Sequence, residues 1–264
     1  MARDLRQSPA YQAYMRSLGW QTAHGALIKP IPFLPFSLIK IQRPPRLPKL
    51  SVLKKFRPVY ISYEPKLGGK PPKNFRRTTP LLPSKTIWLN LNQTLPRLLA
   101  AMHPKTRYNI KKHQLPIKIY RGDKISESIL KSFYQIYSAN SRRQHFWGLN
   151  FNQLKSLIKS FGKNSHLIVA GREGGLLILV YDQVAYYSHN AATIRGRQQF
   201  VPTILTWEAI KLSKKLNCRT FDFEGITDER FPLTKKWAGF TRFKQGFGGK
   251  EVSFPGAFSK WLVF

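Results

Sequence analysis

Residues 221–249 read Phe-Asp-Phe-Glu-Gly-Ile-Thr-Asp-Glu-Arg-Phe-Pro-Leu-Thr-Lys-Lys-Trp-Ala-Gly-Phe-Thr-Arg-Phe-Lys-Gln-Gly-Phe-Gly-Gly. Four of the chain's twelve carboxylates, Asp222, Glu224, Asp228 and Glu229, fall within eight residues here, in a sequence that is otherwise strongly cationic. Phe221 and Phe223 alternate with Asp222 and Glu224, the period of a strand with two carboxylates on one face. Pro232 and the step Lys235-Lys236-Trp237 follow. Residues 239–244 then read as a second strand, closed by Gly246, Gly248 and Gly249. The stretch predicts strand, acidic loop, strand and glycine turn. Asp222 and Glu224 fit either neutralisation of neighbouring cations or receipt of a proton; the structural role is preferred, because no orienting partner for a base is in evidence. Asp228, Glu229 and Arg230 read as loop surface.

Working back from this stretch, residues 220–223 are a strand that follows a helix opened by Pro202, with Leu205, Leu212 and Leu216 on one face and Asn217 as its C-cap. Before it, residues 166–170, 176–181 and 184–191 form a β-meander joined by the turns Glu173-Gly174-Gly175 and Asp182-Gln183. Two amphipathic helices precede the meander. Ile125, Ile129, Phe133, Ile136 and Tyr137 stripe the first; Phe151, Leu154, Leu157, Ile158 and Phe161 stripe the second, which Gly162 ends. Arg142, Arg143, His145 and Trp147 lie in the connection between them. Two helices, an antiparallel meander, a helix and a strand make the element order of an acetyltransferase-like (GNAT) domain.

The first half has its own pattern. Ser8-Pro9 caps a short helix carrying Tyr11, Tyr14, Met15 and Leu18. Residues 33–42, 59–63 and 86–91 read as strands, and the Gly, Pro and Lys-rich connection 66–85 as a mobile loop. Leu95, Leu98, Leu99 and Met102 have helical spacing, and Pro104 starts a new turn. Lys105, Arg107, Lys111 and Lys112 then surround Tyr108, a composition suited to phosphate contacts with stacking, and equally to a solvated basic helix face.

The chain has 264 residues, with 42% hydrophobic and 13% aromatic content, enough for a folded protein. Its net charge of +33 is tolerable beside a polyanion or an anionic surface, so nucleic acid and acidic lipid are the expected partners. Residues 1–121 carry 24 Lys and Arg against Asp4 and Glu64, a net of +22. One cysteine, Cys218, cannot form an internal disulfide and favours a reducing compartment, the cytoplasm by default. The first fifteen residues lack the apolar core of a secretory signal. Residues 27–41 contain Pro30, Pro32 and Pro35 and cannot cross a bilayer as a helix.

Two motifs together resemble the Fem family of peptidoglycan-bridge aminoacyltransferases: Leu99-Ala-Ala-Met-His-Pro-Lys-Thr-Arg-Tyr-Asn-Ile110, and Asp222-Phe-Glu-Gly-Ile226 with Gly239-Phe-Thr-Arg-Phe-Lys-Gln-Gly-Phe-Gly-Gly249. The likeness extends over nearly the whole chain, because residues 8–20 resemble the family's opening segment. It implies an α/β (α+β) fold of two adjacent GNAT-like domains, with mixed, largely antiparallel sheets flanked by helices. The expected division is residues 1–121 and 122–249, with 250–264 returning to the first domain. No heptad stretch supplies the helical hairpin arm carried by several family members.

The implied reaction moves an amino acid from aminoacyl-tRNA, a co-substrate in place of a cofactor, to the stem peptide of a lipid-linked or UDP-linked muropeptide. The implied setting is a monomer in the cytoplasm, in peripheral contact with the inner face of the cell membrane. Phe243 and Lys244 match the pair the family uses near the aminoacyl end of the tRNA. Arg142 or Arg143 matches the family's substrate-binding arginine loosely. Phe151-Asn152 stands where paired tyrosines are expected, and Tyr186 and Tyr187 are the candidate substitutes. Lys105, Arg107 and Tyr108 are the candidate tRNA contacts.

Two other readings stay open: an acyl-CoA-dependent N-acyltransferase on the same fold, and a non-catalytic basic protein binding nucleic acid or membrane. The first needs closely spaced glycines at a pyrophosphate loop; residues 194–202 offer Gly196 alone, and Pro202 removes a donor. The histidines, His24, His103, His113, His145, His166 and His189, show no metal-ligand spacing. No metal is expected. His189-Asn190, at the end of the meander, is the pair most worth following.

Overall fold

The computed structural model describes residues 2–112 and 115–262, which leaves out His113 and the last two residues of the 250–264 segment. Ser8 accepts a hydrogen bond from the Tyr11 N–H and Pro9 opens α1 (Pro9–Ser17), after a 3-10 turn at Leu5–Gln7. The first sheet draws on β1 (Gln21–Ala23), β2 (Ala26–Pro30), β3 (Ser37–Gln42) and, after α2 (Leu50–Leu53), β4 (Pro58–Glu64) and β5 (Arg76–Thr78). Next come β6 (Lys85–Asn90), α3 (Leu95–Ala100), α4 (Pro104–Lys111) and β7 (Ile117–Arg121). Helices α5 (Glu127–Arg143) and α6 (Phe151–Phe161) lead into the meander β8 (Ser165–Ala170), β9 (Gly174–Tyr181) and β10 (Val184–Ala192). The chain closes with α7 (Ile194–Gln198), α8 (Val201–Lys215), β11 (Thr220–Gly225), α9 (Ala238–Gln245), β12 (Lys250–Ser253) and β13 (Ala257–Trp261).

The strands make two mixed, largely antiparallel sheets. One runs β1-β2-β3-β4-β13-β5 and the other β12-β6-β11-β10-β9-β8-β7. Only β3 with β4 and β10 with β11 pair in parallel among the described residues. The sheets do not divide the chain at residue 121. β6 and β7 belong to the second sheet, because β6 pairs with β11 and β7 with β8; β13 returns to the first sheet, while β12 edges the second.

Alternation sends the two faces of the second sheet to different cores. Leu176, Ile178, Tyr187, Phe221 and Phe223 pack with Ile204, Leu205 and Ala209 of α8. On the other face Leu177, Leu179, Val184 and Tyr186 meet α5 and α6, and here Tyr14 and Met15 of α1 join Leu27 of β2. Helix α1 thereby joins the two sheets through one apolar cluster. Ile28, Ile39, Ile41 and Ile61 form a third core under Leu53 of α2. The two longest helices among the described residues, α5 and α8, both lie against the second sheet.

Several expectations are overturned. Residues 239–244 belong to helix α9: Phe243, partly buried, packs against the core cluster that holds Phe247, and Lys244 beside it is also buried, a contiguous pair that a strand would have sent to opposite faces. The connection 66–85 contains β5, paired to β13. Asp228 is 2% exposed, accepting hydrogen bonds from Ser84 Oγ (2.5 Å) and Arg230, so it is buried and not loop surface. Strand β3 also begins later than the run from residue 33, because residues 31–36 turn back on themselves.

A charged strut crosses between the sheets. Arg6 donates to both oxygens of Glu224, on β11, at 3.0 and 2.7 Å. Asp4 accepts from Arg43, just after β3, at 3.0 Å. Burial works against the Asp4 charge, yet Arg6 and Arg43 hold its carboxyl below the usual range. Arg6→Ala would leave Glu224, with its side chain 18% exposed, without its cation. The expected loss of stability is about 3 kcal/mol, read as a lower urea midpoint, because breaking a largely buried pair strands the remaining charge.

Candidate functional site

The ladder between β10 and β11 holds for three residue pairs, Val184 with Thr220, Ala185 with Phe221 and Tyr186 with Asp222, and then stops. Two irregularities stop it. The pairing of β10 with β9 slips between Tyr187 and His189, and that of β11 with β6 between Asp222 and Gly225. Glu224 sits at the second slip with φ 57°, a left-handed conformation that a non-glycine residue rarely holds. This conformation turns its carboxylate away from Asp222 toward Arg6, so the two acids do not share a strand face as the alternation implied.

Lys244 of α9 enters where the ladder ends. Its Nζ donates to Gly225 O at 2.6 Å and lies 5.5 Å from the centre of the Tyr187 ring, spanning β11 and β10. Gly225 O is the Nζ acceptor among the described residues, and an ammonium has three N–H bonds, so two have no acceptor there. The side chain is 9% exposed; burial lowers its pKa to about 8, against the favourable fields of Glu224 and Asp222.

Tyr187 accepts from Asn190 Nδ2, and burial raises its hydroxyl to about 12. Asn190 Oδ1 is buried and unpartnered. His189 beside it has Ser188 Oγ at 2.8 Å from Nδ1 and the Tyr137 ring at 5.4 Å; burial lowers its pKa to about 4, so it is a neutral imidazole near pH 7. Lys244, Tyr187 and Asn190 thus form a connected polar group at the mouth of the split.

Asp222 supports this group from the side. It is 3% exposed and accepts from Thr86 Oγ1 (2.6 Å), Trp88 Nε1 (2.9 Å) and the Glu224 N–H (2.8 Å). Burial, then the neighbouring Glu224 charge, raises its pKa to about 6. With Tyr186, Trp88, Arg43 and Phe254 it lines a cavity of about 290 Å³.

The other sequence-predicted residues are dispersed. Phe243, partly buried, packs on Phe247 of the core with ring centres 5.3 Å apart. Tyr186 points to the opposite side of the sheet from Tyr187 and accepts from the Leu5 N–H at 3.2 Å; burial, then Asp4, raises its pKa well above the usual phenol value. Arg142 and Arg143 lie in the last turn of α5 and not in the connection. Arg142 is exposed and bonded to Ser138 Oγ, whereas Arg143 reaches Asn140 and Ala192 O at the end of β10. Burial, then the Arg197 charge, lowers the Arg143 pKa.

Helix α4 lies against the end of α9. The His103 N–H donates to Gly246 O at 2.9 Å, and a Cβ at Gly246 would meet Thr106 Oγ1 at 2.6 Å. On α4, Lys105 and Tyr108 are exposed, but Arg107 donates to Ala100 O and Met102 O, tying down the end of α3. Arg6 and Trp88 are the site elements that sequence reasoning missed, whereas Glu224 and Asn190 were singled out without these partners. The one available signal was Asp4, a rare carboxylate in a segment of +22. Among the described residues, no three His, Cys, Asp or Glu stand close enough to hold a metal ion.

A largely parallel-paired split between two central strands, filled from a following helix, in a mixed α/β chain with two sheets, is a GNAT-like architecture. The solved structure of FemX has this fold, with a TM-score of 0.79 at 14% identity over 99% of this chain and 93% of that one. L-PGS from Bacillus licheniformis superposes with a TM-score of 0.56 at 9% identity, covering 98% and 92%. A tandem GNAT protein from the clavulanic acid biosynthesis pathway gives 0.53 at 9%, covering 89% and 78%. The chain therefore has the two-sheet GNAT-like fold of FemX. No protein-family model and no curated protein matches its sequence.

The Asp222 pKa makes a stability prediction. A carboxyl raised on folding binds more protons than in the unfolded chain, so its contribution is present at low pH and is lost as pH rises from about 4 through about 6. Asp222→Asn should cancel this component. The stability of wild type relative to the variant is expected to fall by up to about 3 kcal/mol across that window, followed by urea unfolding at stepped pH.

Proposed function

We propose that the protein is a tRNA-dependent aminoacyltransferase that adds an amino acid to the stem peptide of a lipid-linked or UDP-linked muropeptide. The observation that carries this reading is Lys244, with two uncommitted N–H bonds in a nearly water-free split between β10 and β11. The motif likeness to the Fem family and the FemX fold support it.

An aminoacyl ester is already activated, so the reaction needs positioning and positive charge near the oxyanion, and no separate cofactor. The stem-peptide amine attacks the ester carbonyl, and its electron pair forms the new C–N bond while the carbonyl oxygen becomes an oxyanion. Lys244 Nζ donates to that oxygen. Collapse breaks the ester C–O bond, and the amine proton passes to the departing ribose oxygen. Phe243 is left with a packing role that fixes the direction of Lys244. Arg143, at the mouth of the split, is suited to the anionic part of the acceptor, and Lys105 and Tyr108 of α4 to the tRNA. The proposed setting is a monomer at the cytoplasmic face of the membrane.

The acyl-CoA alternative finds less support. Gly196 lies so close to Glu173 that an added Cβ would sit 2.2 Å from its carbonyl oxygen, so this glycine serves packing. Pro202 occupies the first turn of α8, where a pyrophosphate would seek N–H donors.

Incubation with charged tRNA and a muropeptide should yield a product heavier by one aminoacyl residue. Failure with all aminoacyl-tRNAs, or activity with acyl-CoA instead, would overturn the reading. Lys244→Ala should lower turnover at least about 100-fold, the usual cost of removing an oxyanion donor. Because the Lys244 amine titrates at about 8, the wild-type rate should decline above that pH, and Lys244→Arg should move the decline upward. Glutamate substitutions at Lys105 and Lys111 should weaken tRNA binding and flatten its salt dependence, with each lost phosphate contact reducing the log–log slope by about 0.7 to 0.9. Arg107 is unsuitable for this test because its loss would also release the α3 carbonyls.

A further inference from the structure

We infer that one pole of the first sheet is a docking surface for an anionic lipid bilayer, with the tip Phe33-Leu34 as the inserted element. Three observations meet there. The first is exposure: in the turn between β2 and β3, Phe33 is fully exposed, at 106%, and Leu34 is 54% exposed. Ile31 N–H to Phe36 O (2.9 Å) and Leu34 N–H to Ile31 O (3.2 Å) hold the turn. Phe33 has φ 62°, a backbone conformation a bulky residue rarely adopts. A loop serving only to join two strands would be expected to place glycine or asparagine there.

The second observation is continuity. Leu38 pairs with Tyr60 across β3 and β4, and Tyr60 with Trp261 across β4 and β13, so these three share one face beside the tip. Tyr60 and Trp261 are in ring contact at 4.7 Å, and Trp261 is 71% exposed. The apolar tip therefore continues into a second row of amphipathic rings, the side chains that favour a membrane interface.

The third is charge. Lys54, Lys55 and Arg57 are exposed and end at the same pole, where Arg57 O accepts from Ser37 N–H at 3.1 Å and Phe56 O from Ser37 Oγ at 2.6 Å. No carboxylate occurs between Asp4 and Glu64, and Glu64 is buried, accepting from the N–H groups of Leu81 and Leu82. An apolar protrusion beside the exposed cations Lys54, Lys55 and Arg57 complements an acyl layer under anionic headgroups. No helix among the described residues is long and apolar enough to cross a membrane, so contact at this pole would be peripheral.

The test is co-sedimentation of the full chain with vesicles of phosphatidylcholine alone, or of phosphatidylcholine and phosphatidylglycerol in equal parts. Binding is expected to the mixed vesicles and to fall with added salt. Phe33→Asp with Leu34→Asp should weaken partitioning at least about tenfold, the loss expected from withdrawing one large apolar side chain. Its thermal unfolding should be unchanged, because both residues are exposed. Glutamate at Lys54 and Lys55 should weaken binding comparably. Equal binding by the Phe33 and Leu34 variant, or absence of binding to the mixed vesicles, would overturn the inference. So would loss of single-stranded RNA binding by that variant with vesicle binding intact, which would make the surface a stacking platform. None of these readouts requires turnover, so the result is independent of the transferase reading.

Discussion

Parallel strands β10 and β11 run side by side for three residue pairs, after which their backbone groups need other partners, because unpaired N–H and C=O groups in a buried sheet are costly. Much of the second sheet's surroundings can be read as the answer to that need. Lys244 reaches over from α9 to take Gly225 O. The Glu224 N–H turns back onto Asp222 Oδ1, and Thr86 Oγ1 donates to Asp222 while lying 2.9 Å from Glu224 O. The left-handed Glu224 then carries its carboxylate out to Arg6. A break in one ladder is thus linked through side chains to the N-terminal segment and to the first sheet.

The same arrangement explains how so basic a chain uses its few acids. Asp4, Glu64, Asp222, Glu224 and Asp228 are turned inward onto hydrogen-bond donors or arginines. The outer surface is left strongly cationic, most of all in the first half. The acidic island at 222–229 is therefore largely an internal scaffold. It holds the split open and its field keeps the Lys244 pKa from falling further than burial would drive it.

Several elements were legible because a short-range rule governs them. Ser8-Pro9 marks a helix start through one side-chain hydrogen bond, and the meander β8–β9–β10 shows as apolar runs punctuated by turns. The α9 segment was misread because Phe240, Arg242 and Lys244 alternate as in a strand, whereas the contacts that decide are those of Phe243 with Phe247 and of Phe247 with Phe223. Similarly, Tyr186 and Tyr187 are equivalent in sequence. Strand alternation sends them to opposite faces; which one meets Leu5 and which Lys244 depends on the side on which each neighbouring element packs.

By itself the sequence determined the order of the main elements from α5 to β11, the Ser8 helix cap, the cationic character and the prominence of the 221–249 stretch, since spacing and composition report on neighbours along the chain. Tertiary structure decided which strands share a sheet, carrying β6 and β7 into the second and β13 back to the first. It also decided that Lys244, and not Phe243, faces the split, and that Arg6 is the partner of Glu224, 218 residues away. The physical reason is that the cost of burying a charge depends on groups brought together by folding, and no local pattern encodes that distance.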